Sequence, residues 1–395
     1  GGRRAAVRLD DKYELASGRV YLTGIQALVR MIVDRARLDR AAGLTTGGFV
    51  SGYRGSPLAG VDQQLLAAKA ELDAHGIVFM PGVNEELAAT AVWGAQKAPS
   101  SGAGSPRDGV FGLWYGKAPG VDRSTDVFKH ANAAGTHPHG GVLVVAGDDH
   151  LAKSSTVACQ SEFQLADCEI PVLNPADLQD VVDFGLYGWE LSRFSGLWVS
   201  MIALADTMDG SGIVDVDLAR HVYERPRAEF DPRARAEIDR QMMLKTRLDN
   251  EISVREIRLP AARAHARANG IDRLAFGSAR PRVGFVATGK AYRDLRQALA
   301  LLGIDEARAV ALGIGIWKVG LAWPLEPIGL SGFARGLERL VVVEHKRPLL
   351  EPQIKDLAFH WPADQRPRIW GKSTPTGEPF LAAVRELSEI GRAHV

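Results

Sequence analysis

Cysteine is nearly absent: the 395 residues contain only Cys159 and Cys168. That excludes a disulfide framework. It also excludes a cysteine-built zinc or iron–sulfur site within these residues, which would need about four thiolates. Two reduced thiols fit a cytoplasmic protein. No apolar run approaches the roughly 18 residues that a membrane span requires, and no signal-peptide pattern follows Gly1-Gly2-Arg3-Arg4. A surplus of one charge is missing too. The 48 Lys+Arg balance 47 Asp+Glu to a net +1, so no global field draws in nucleic acid or an anionic membrane. The phosphate-cradling patterns G-x-G-x-x-G and G-x-x-x-x-G-K-S/T are absent, and so is the G-x-S-x-G nucleophile elbow.

What is present is globular. With 46% hydrophobic and 24% charged residues, the length suggests roughly two to three domains with substantial cores. The chain begins without Met. Ile390-Gly391-Arg392-Ala393-His394-Val395 reads like a translated sequencing adapter, so residues 388–395 are expected to be a non-native tail, with the protein continuing past Leu387.

The expected fold class is α/β. Over residues 18–212, short continuous apolar runs such as Val142-Leu143-Val144-Val145 alternate with helical spacing, as in Leu22, Ile25, Leu28, Val29, Ile32 and Val33. Continuous rather than alternating hydrophobicity implies strands covered on both faces, hence a doubly wound parallel sheet. A helix is expected from about Asp62 to Ala74. Residues 213–279 read as a charged, partly helical connector without strong strand signals. Its arginines (Arg220, Arg225, Arg227, Arg233, Arg235, Arg240, Arg247 and Arg255) are interleaved with acids, which favours a solvated surface over a nucleic-acid site. A second, smaller α/β domain is expected over 280–387, with strands at Val283–Thr288, Ile314–Val319 and Leu340–Glu344 and a turn at Pro324–Pro327.

Three loops could carry chemistry. The turn Gly52-Tyr53-Arg54-Gly55-Ser56-Pro57-Leu58 follows a strand, where open α/β sheets bind ligands. Gly52 and Gly55 allow close backbone approach, and Arg54 is either a carboxylate grip or a solvent-facing side chain. In the second loop, Asn84 is a good N-cap, which makes Glu85 the first helical residue. A charge at the positive helix end accounts for Glu85. So does a role in a water-poor pocket, because Glu85 shares a face with Ala88, Ala89 and Val92, while Glu86 lines up with Thr90, Trp93 and Lys97. The third loop runs through Gly147-Asp148-Asp149-His150, Lys153-Ser154-Ser155 and Gln160-Ser161-Glu162. Three adjacent residues point in different directions, so Asp148, Asp149 and His150 read as polar pocket lining rather than a metal site. Ser154-Ser155 reads as a helix entry.

Together these loops resemble the indolepyruvate ferredoxin oxidoreductase family, most closely its long single-chain form. The resemblance extends through Gly116-Lys117-Ala118-Pro119-Gly120-Val121-Asp122-Arg123-Ser124, Lys318-Val319-Gly320, Trp323-Pro324-Leu325-Glu326-Pro327 and Val342-Val343-Glu344-His345-Lys346-Arg347-Pro348. It implies thiamine diphosphate as cofactor, with a pyrimidine-binding domain first and a transketolase C-terminal-like domain second. The implied activity is oxidative decarboxylation of a 2-oxoacid, indolepyruvate or another aryl pyruvate, to the acyl-CoA. Coenzyme A and ferredoxin are the implied partners.

Glu85 matches the family's cofactor glutamate, which hydrogen-bonds a pyrimidine ring nitrogen and favours the imino tautomer. Tyr53, Gly55, Ser56, Pro57 and Asn84 fall beside the cofactor. Arg54, Ser56, Arg123 and Lys153 are the substrate-side candidates. The Gly-Asp-Gly signature of the diphosphate and Mg2+ half is missing, as are cysteine-rich cluster segments. Both are expected beyond this sequence, and with them a homodimer or a paired pyrophosphate-binding domain. A non-oxidative transketolase-class enzyme and a non-catalytic assembly module are the alternatives.

Overall fold

Buried strands set the architecture. The computed structural model describes residues 8–97, 106–226 and 247–387. The expected tail at 388–395 and the connector residues Arg227, Arg233, Arg235 and Arg240 lie outside the described residues. The described strands, in chain order, are β1 (Arg19–Thr23), β2 (Thr46–Gly52), β3 (Ile77–Phe79), β4 (Gly109–Lys117), β5 (Val142–Asp148), β6 (Val172–Leu173) and β7 (Val199–Leu204). Next come β8 (Ser211–Asp215), β9 (Arg273–Gly277), β10 (Val283–Thr288), β11 (Ile314–Val319), β12 (Leu321–Trp323), β13 (Arg339–Val343) and β14 (Arg368–Trp370).

A seven-stranded sheet runs in the order β12-β6-β7-β5-β4-β2-β3, and a five-stranded sheet in the order β14-β13-β10-β11-β9. Each is parallel except at one edge strand, β12 in the first and β9 in the second. β1 and β8 form a separate antiparallel pair.

All seven residues of β5 are buried, because both faces are covered. Leu143 and Val145 point into one core with the Gly24–Ala41 and Leu178–Ser195 helices. Val142, Val144 and Ala146 point into the other, against Ala88, Ala89, Val92, Val121 and Phe128. Each fully buried aliphatic side chain contributes roughly 1.5–3 kcal/mol, which pins the register of this central strand. Local signals agree. Thr23 and Gln26 form a capping box at the Gly24–Ala41 helix, and Gly196 takes the left-handed conformation that ends Leu178–Ser195.

The two sheets are stitched together rather than merely adjacent. After β11 the chain crosses over and lays β12 against β6. The Asn174 amide donates to the Gly320 carbonyl at 2.9 Å. The Asp272 carboxylate accepts the Gly320 and Leu321 amides at 2.8 and 3.0 Å. Lys318 on β11 donates to both oxygens of Asp180, on the Leu178–Ser195 helix, at 2.8 and 2.6 Å.

Three expectations are corrected. The span 213–279 is not free of strands: β8 enters it and β9 lies near its end. Both are only partly buried, so neither carries a continuous apolar run. The helix expected over Asp62–Ala74 is two helices, Val61–Ala67 and Lys69–Ala74, broken at Ala68. Ser154-Ser155 enters no helix. The Asp149 carboxylate captures the Ser154 amide at 2.9 Å, and the next helix, Glu162–Asp167, starts only after Ser161.

Two buried histidines give the fold an acid limit. His265 lies between Tyr187 and Phe194, and burial pushes it down to about 4. His221, beside Tyr223, is lowered to about 4 by burial and then by the Arg220 charge. Between pH 6.5 and 4 the unfolded chain therefore binds more protons than the folded one at these sites. Their contribution is fully present above pH 6.5 and is lost as pH falls through that window. Stability is expected to drop by about 2 kcal/mol per histidine from pH 7 to pH 5. Urea melts of the wild type and of His265→Gln at the two pH values check this, with a smaller drop expected in the variant.

Candidate functional site

The C-terminal ends of the parallel strands gather the loops. β2 ends in Gly52, whose carbonyl accepts the Gly82 amide at 2.8 Å, so the turn after β2 and the approach to the Glu85–Lys97 helix are held side by side. The Tyr53 amide donates to the Tyr115 carbonyl at 3.0 Å, which ties the turn to β4 as well. Pro57 and Leu58 pack over Gly147 near the end of β5, where a Cβ would come within 3.0 Å of both. The Ser56–Pro57 peptide is cis. Ser56 shares a hydroxyl–hydroxyl hydrogen bond with Ser154, which brings the first and third loops together.

Glu85 opens its helix as the N-cap chemistry implies: the Asn84 side chain accepts the Leu87 amide at 2.8 Å. The indole of Trp114, fully buried on β4, donates to the Glu85 carbonyl at 2.9 Å and fixes the first turn against the sheet. The Glu85 side chain turns inward and is 7% exposed. Its carboxyl has no hydrogen-bond or ion-pair partner among the described residues. It lies against Gly120, at the start of the Ala118–Ala134 helix, where a Cβ would overlap the Glu85 Cγ and stand 2.9 Å from Oε1. A buried carboxylate without a partner is costly, and one in a glycine cradle leaves room for a polar ring edge. Around it the surface is apolar and open: Val83 is 82%, Leu87 53% and Met80 46% exposed.

The other candidates fall into place unevenly. Tyr53 and Arg54 are exposed on the turn, and Gly55 rests against the Lys117 side chain. Arg123 is exposed one helical turn beyond Gly120. Arg54 and Arg123 have no ion pair among the described residues. Lys153 is engaged with Asp206 at 2.9 Å, and that bond raises its pKa.

The third loop builds a polar seam beneath the second sheet. The Asp148 carboxylate accepts the Ser161 amide and hydroxyl at 2.8 and 2.6 Å, and burial still raises it to about 6. Glu162 is pushed up to about 8 by burial and then by the Asp148 charge. Burial and the nearby His345 bring His150 down to about 3. A small cavity of about 20 Å3 lies among His150, Gln160, Glu162, Asn174, Lys290 and Glu344. Periodicity missed Gly120 and Trp114. The one signal for them was their place in or beside motifs shared with the family.

Comparison with known proteins is consistent across the chain. A family profile described as "Indolepyruvate oxidoreductase domain" matches residues 273–393. The chain is 26% identical to the indolepyruvate oxidoreductase subunit IorA of Pyrococcus abyssi over 352 residues, covering 86% of this chain and 47% of the relative. The IorA subunit of Methanothermobacter thermautotrophicus is 25% identical over 358 residues, covering 89% and 51%. The profile and the relatives together support a member of the indolepyruvate ferredoxin oxidoreductase family. The chain spans about half the length of these curated relatives of the family. Among solved structures, a 2-oxoglutarate:ferredoxin oxidoreductase from Magnetococcus marinus, with 2-oxoglutarate, coenzyme A and succinyl-CoA bound, matches with a TM-score of 0.64. That match has 15% identity and covers 96% of this chain and 64% of that one. At that identity the match speaks to the fold alone, a mixed α/β fold with parallel sheets and a second, smaller domain. No helix among the described residues is long and apolar enough to cross a membrane.

Proposed function

We propose that this chain is the pyrimidine-binding and transketolase C-terminal-like portion of a thiamine-diphosphate-dependent 2-oxoacid:ferredoxin oxidoreductase, acting on indolepyruvate or another aryl pyruvate. The carrying observation is the Glu85 carboxyl, buried yet unpartnered, in the cradle left by Gly120. Thiamine diphosphate, when bound, supplies the carbon nucleophile that decarboxylation of a 2-oxoacid requires. Glu85 holds a hydrogen bond to the aminopyrimidine ring nitrogen and exchanges a proton there. Burial strengthens that bond by excluding water. Trp114 and Asn84 fix the first turn of the helix that carries Glu85, through its backbone carbonyl and the Leu87 amide.

Tyr53, Gly55, Ser56 and Pro57 form the adjoining wall. Arg54 and Arg123, both exposed and unpaired among the described residues, are free to take the substrate carboxylate. Lys153 is the weaker candidate because Asp206 already holds it. The open apolar rim of Met80, Val83 and Leu87 fits closure by a pyrophosphate-binding domain, in a homodimer or a paired chain, which brings Mg2+ and the iron–sulfur clusters. The overall change joins the acyl group to coenzyme A, releases CO2 and passes two electrons to ferredoxin. The buried, unpaired Cys159 and Cys168 fit a cytoplasmic setting.

The test is an anaerobic assay of the chain assembled with its pyrophosphate-binding region. Indolepyruvate, coenzyme A and a one-electron viologen acceptor should give thiamine-dependent dye reduction. Decarboxylation without dye reduction points to a transketolase-class enzyme, and no thiamine binding at all ends the proposal.

A further inference from the structure

Asp148, His150 and Glu162 converge on the seam between the two sheets, although Asp149, their neighbour in sequence, is turned away to cap Ser154. One donor atom from each of the three lies within 4.8 Å of the others. Two of the three residues have donor atoms without a hydrogen-bond partner, the nearest carboxylate to His150 outside the set being Glu386, 3.8 Å from its Nδ1. His150 is 7% exposed, and neither of its ring nitrogens has a hydrogen-bond partner. Glu162 is 5% exposed, and its Oε2 is equally orphaned. Both side chains line the cavity of about 20 Å3, a volume that suits a single water or ion rather than an organic ligand.

We propose that Asp148, His150 and Glu162 bind one divalent transition-metal ion, such as zinc or manganese, in this seam. The donor set of one imidazole and two carboxylates suits such ions, and the absence of thiolate and of clustered carbonyls disfavours softer or harder ones. Donor atoms around an ion of this kind sit about 3–4 Å apart, so closure asks for roughly an ångström of side-chain adjustment. The supporting contacts are already built. Ser161 holds Asp148 from behind through two hydrogen bonds, the outer-shell arrangement that orients a ligand.

The nearby cations do not compete. Lys290 is engaged by both Asp294 oxygens at 3.1 and 3.0 Å, and Lys346 donates to the His150 carbonyl at 2.7 Å. The Glu344 carboxylate is saturated by the amides of Leu349, Leu350 and Glu351, so it stays out of the ligand set. An ion here would fasten the end of β5 to the first residue of the Glu162–Asp167 helix, directly under the second sheet. The site is separate from Glu85 and stands whether or not thiamine binds there.

The test is calorimetric titration of the metal-stripped whole chain with zinc chloride and manganese chloride, with melting temperature followed in parallel. One equivalent should bind, and at a hundredfold excess over Kd the melting temperature should rise by several degrees. Glu162→Gln, which keeps the shape of the side chain, and His150→Asn should each weaken binding by about tenfold or more and abolish the thermal shift. His139→Gln, at an exposed surface histidine, should leave both unchanged. X-ray absorption of the zinc form should show nitrogen and oxygen ligands only. Absence of saturable binding, binding untouched by both Glu162→Gln and His150→Asn, or a sulfur ligand from Cys159 would overturn the assignment.

Discussion

Glu85→Gln is expected to lower turnover of the assembled enzyme by about a hundredfold or more, the usual scale for a removed acid–base group. The substitution is nearly isosteric and leaves the Asn84 cap and the Trp114 bond to the Glu85 carbonyl untouched. Its cost to folding is therefore confined to the lost charge at a helix N-terminus, about 0.3–1 kcal/mol. Activity and stability should separate cleanly. Gly120→Ala approaches the same group from outside. Alanine suits a helix better than glycine, but its methyl would overlap the Glu85 Cγ and push the carboxyl off position. Thiamine diphosphate affinity should fall by about tenfold or more while the melting temperature holds. Steady-state kinetics and a cofactor titration check both variants. Unchanged kcat in Glu85→Gln would remove the proposed role and favour a non-catalytic assembly module.

The largest stability effect is expected at Lys318. It is 5% exposed, and both its bonds run to Asp180, which is 6% exposed and also accepts the Ala176 amide at 2.8 Å. Burial raises the Asp180 carboxyl, and the Lys318 ammonium opposes that rise. Lys318→Met would leave the aspartate buried without its counter-ion, at a cost of about 3–5 kcal/mol. Asp180→Asn combined with Lys318→Met removes the charge as well as its partner and should recover most of the loss. Urea denaturation of the two variants against wild type measures this. If the single variant loses under about 1 kcal/mol, the pair is not holding the sheets together. Lys318 also shows how a motif residue can be structural, since it belongs to a segment shared with the family yet faces the seam between sheets.

What the sequence makes legible follows from burial. β5, β7, β10 and β13 lie inside continuous apolar runs because both their faces are covered, and such runs survive as a pattern. β8 and β9 are only partly buried and β12 is three residues long, and the pairing of all three edge strands is decided by distant partners. The break at Ala68 has no proline or glycine to announce it. The inward face of Glu85 is legible because the N-cap fixes its helical phase and Ala88, Ala89 and Val92 fix the buried side. The convergence of Glu162 on Asp148 is not legible. It depends on a loop that closes through the Asp148–Ser161 bonds, a tertiary event without periodicity.

The crossing of β12 onto β6 makes the first sheet a poor transplant. β6 is two residues long, and its outer edge is covered by a strand that arrives about 150 residues later in the chain, from beyond the second sheet's own β11. Severed upstream of that point, the first unit would present a bare, sticky border of unsatisfied amides and carbonyls. Neither half is an interchangeable cassette, so recombining one with a homologue's other half would have to carry Leu321–Trp323 along with the border it seals.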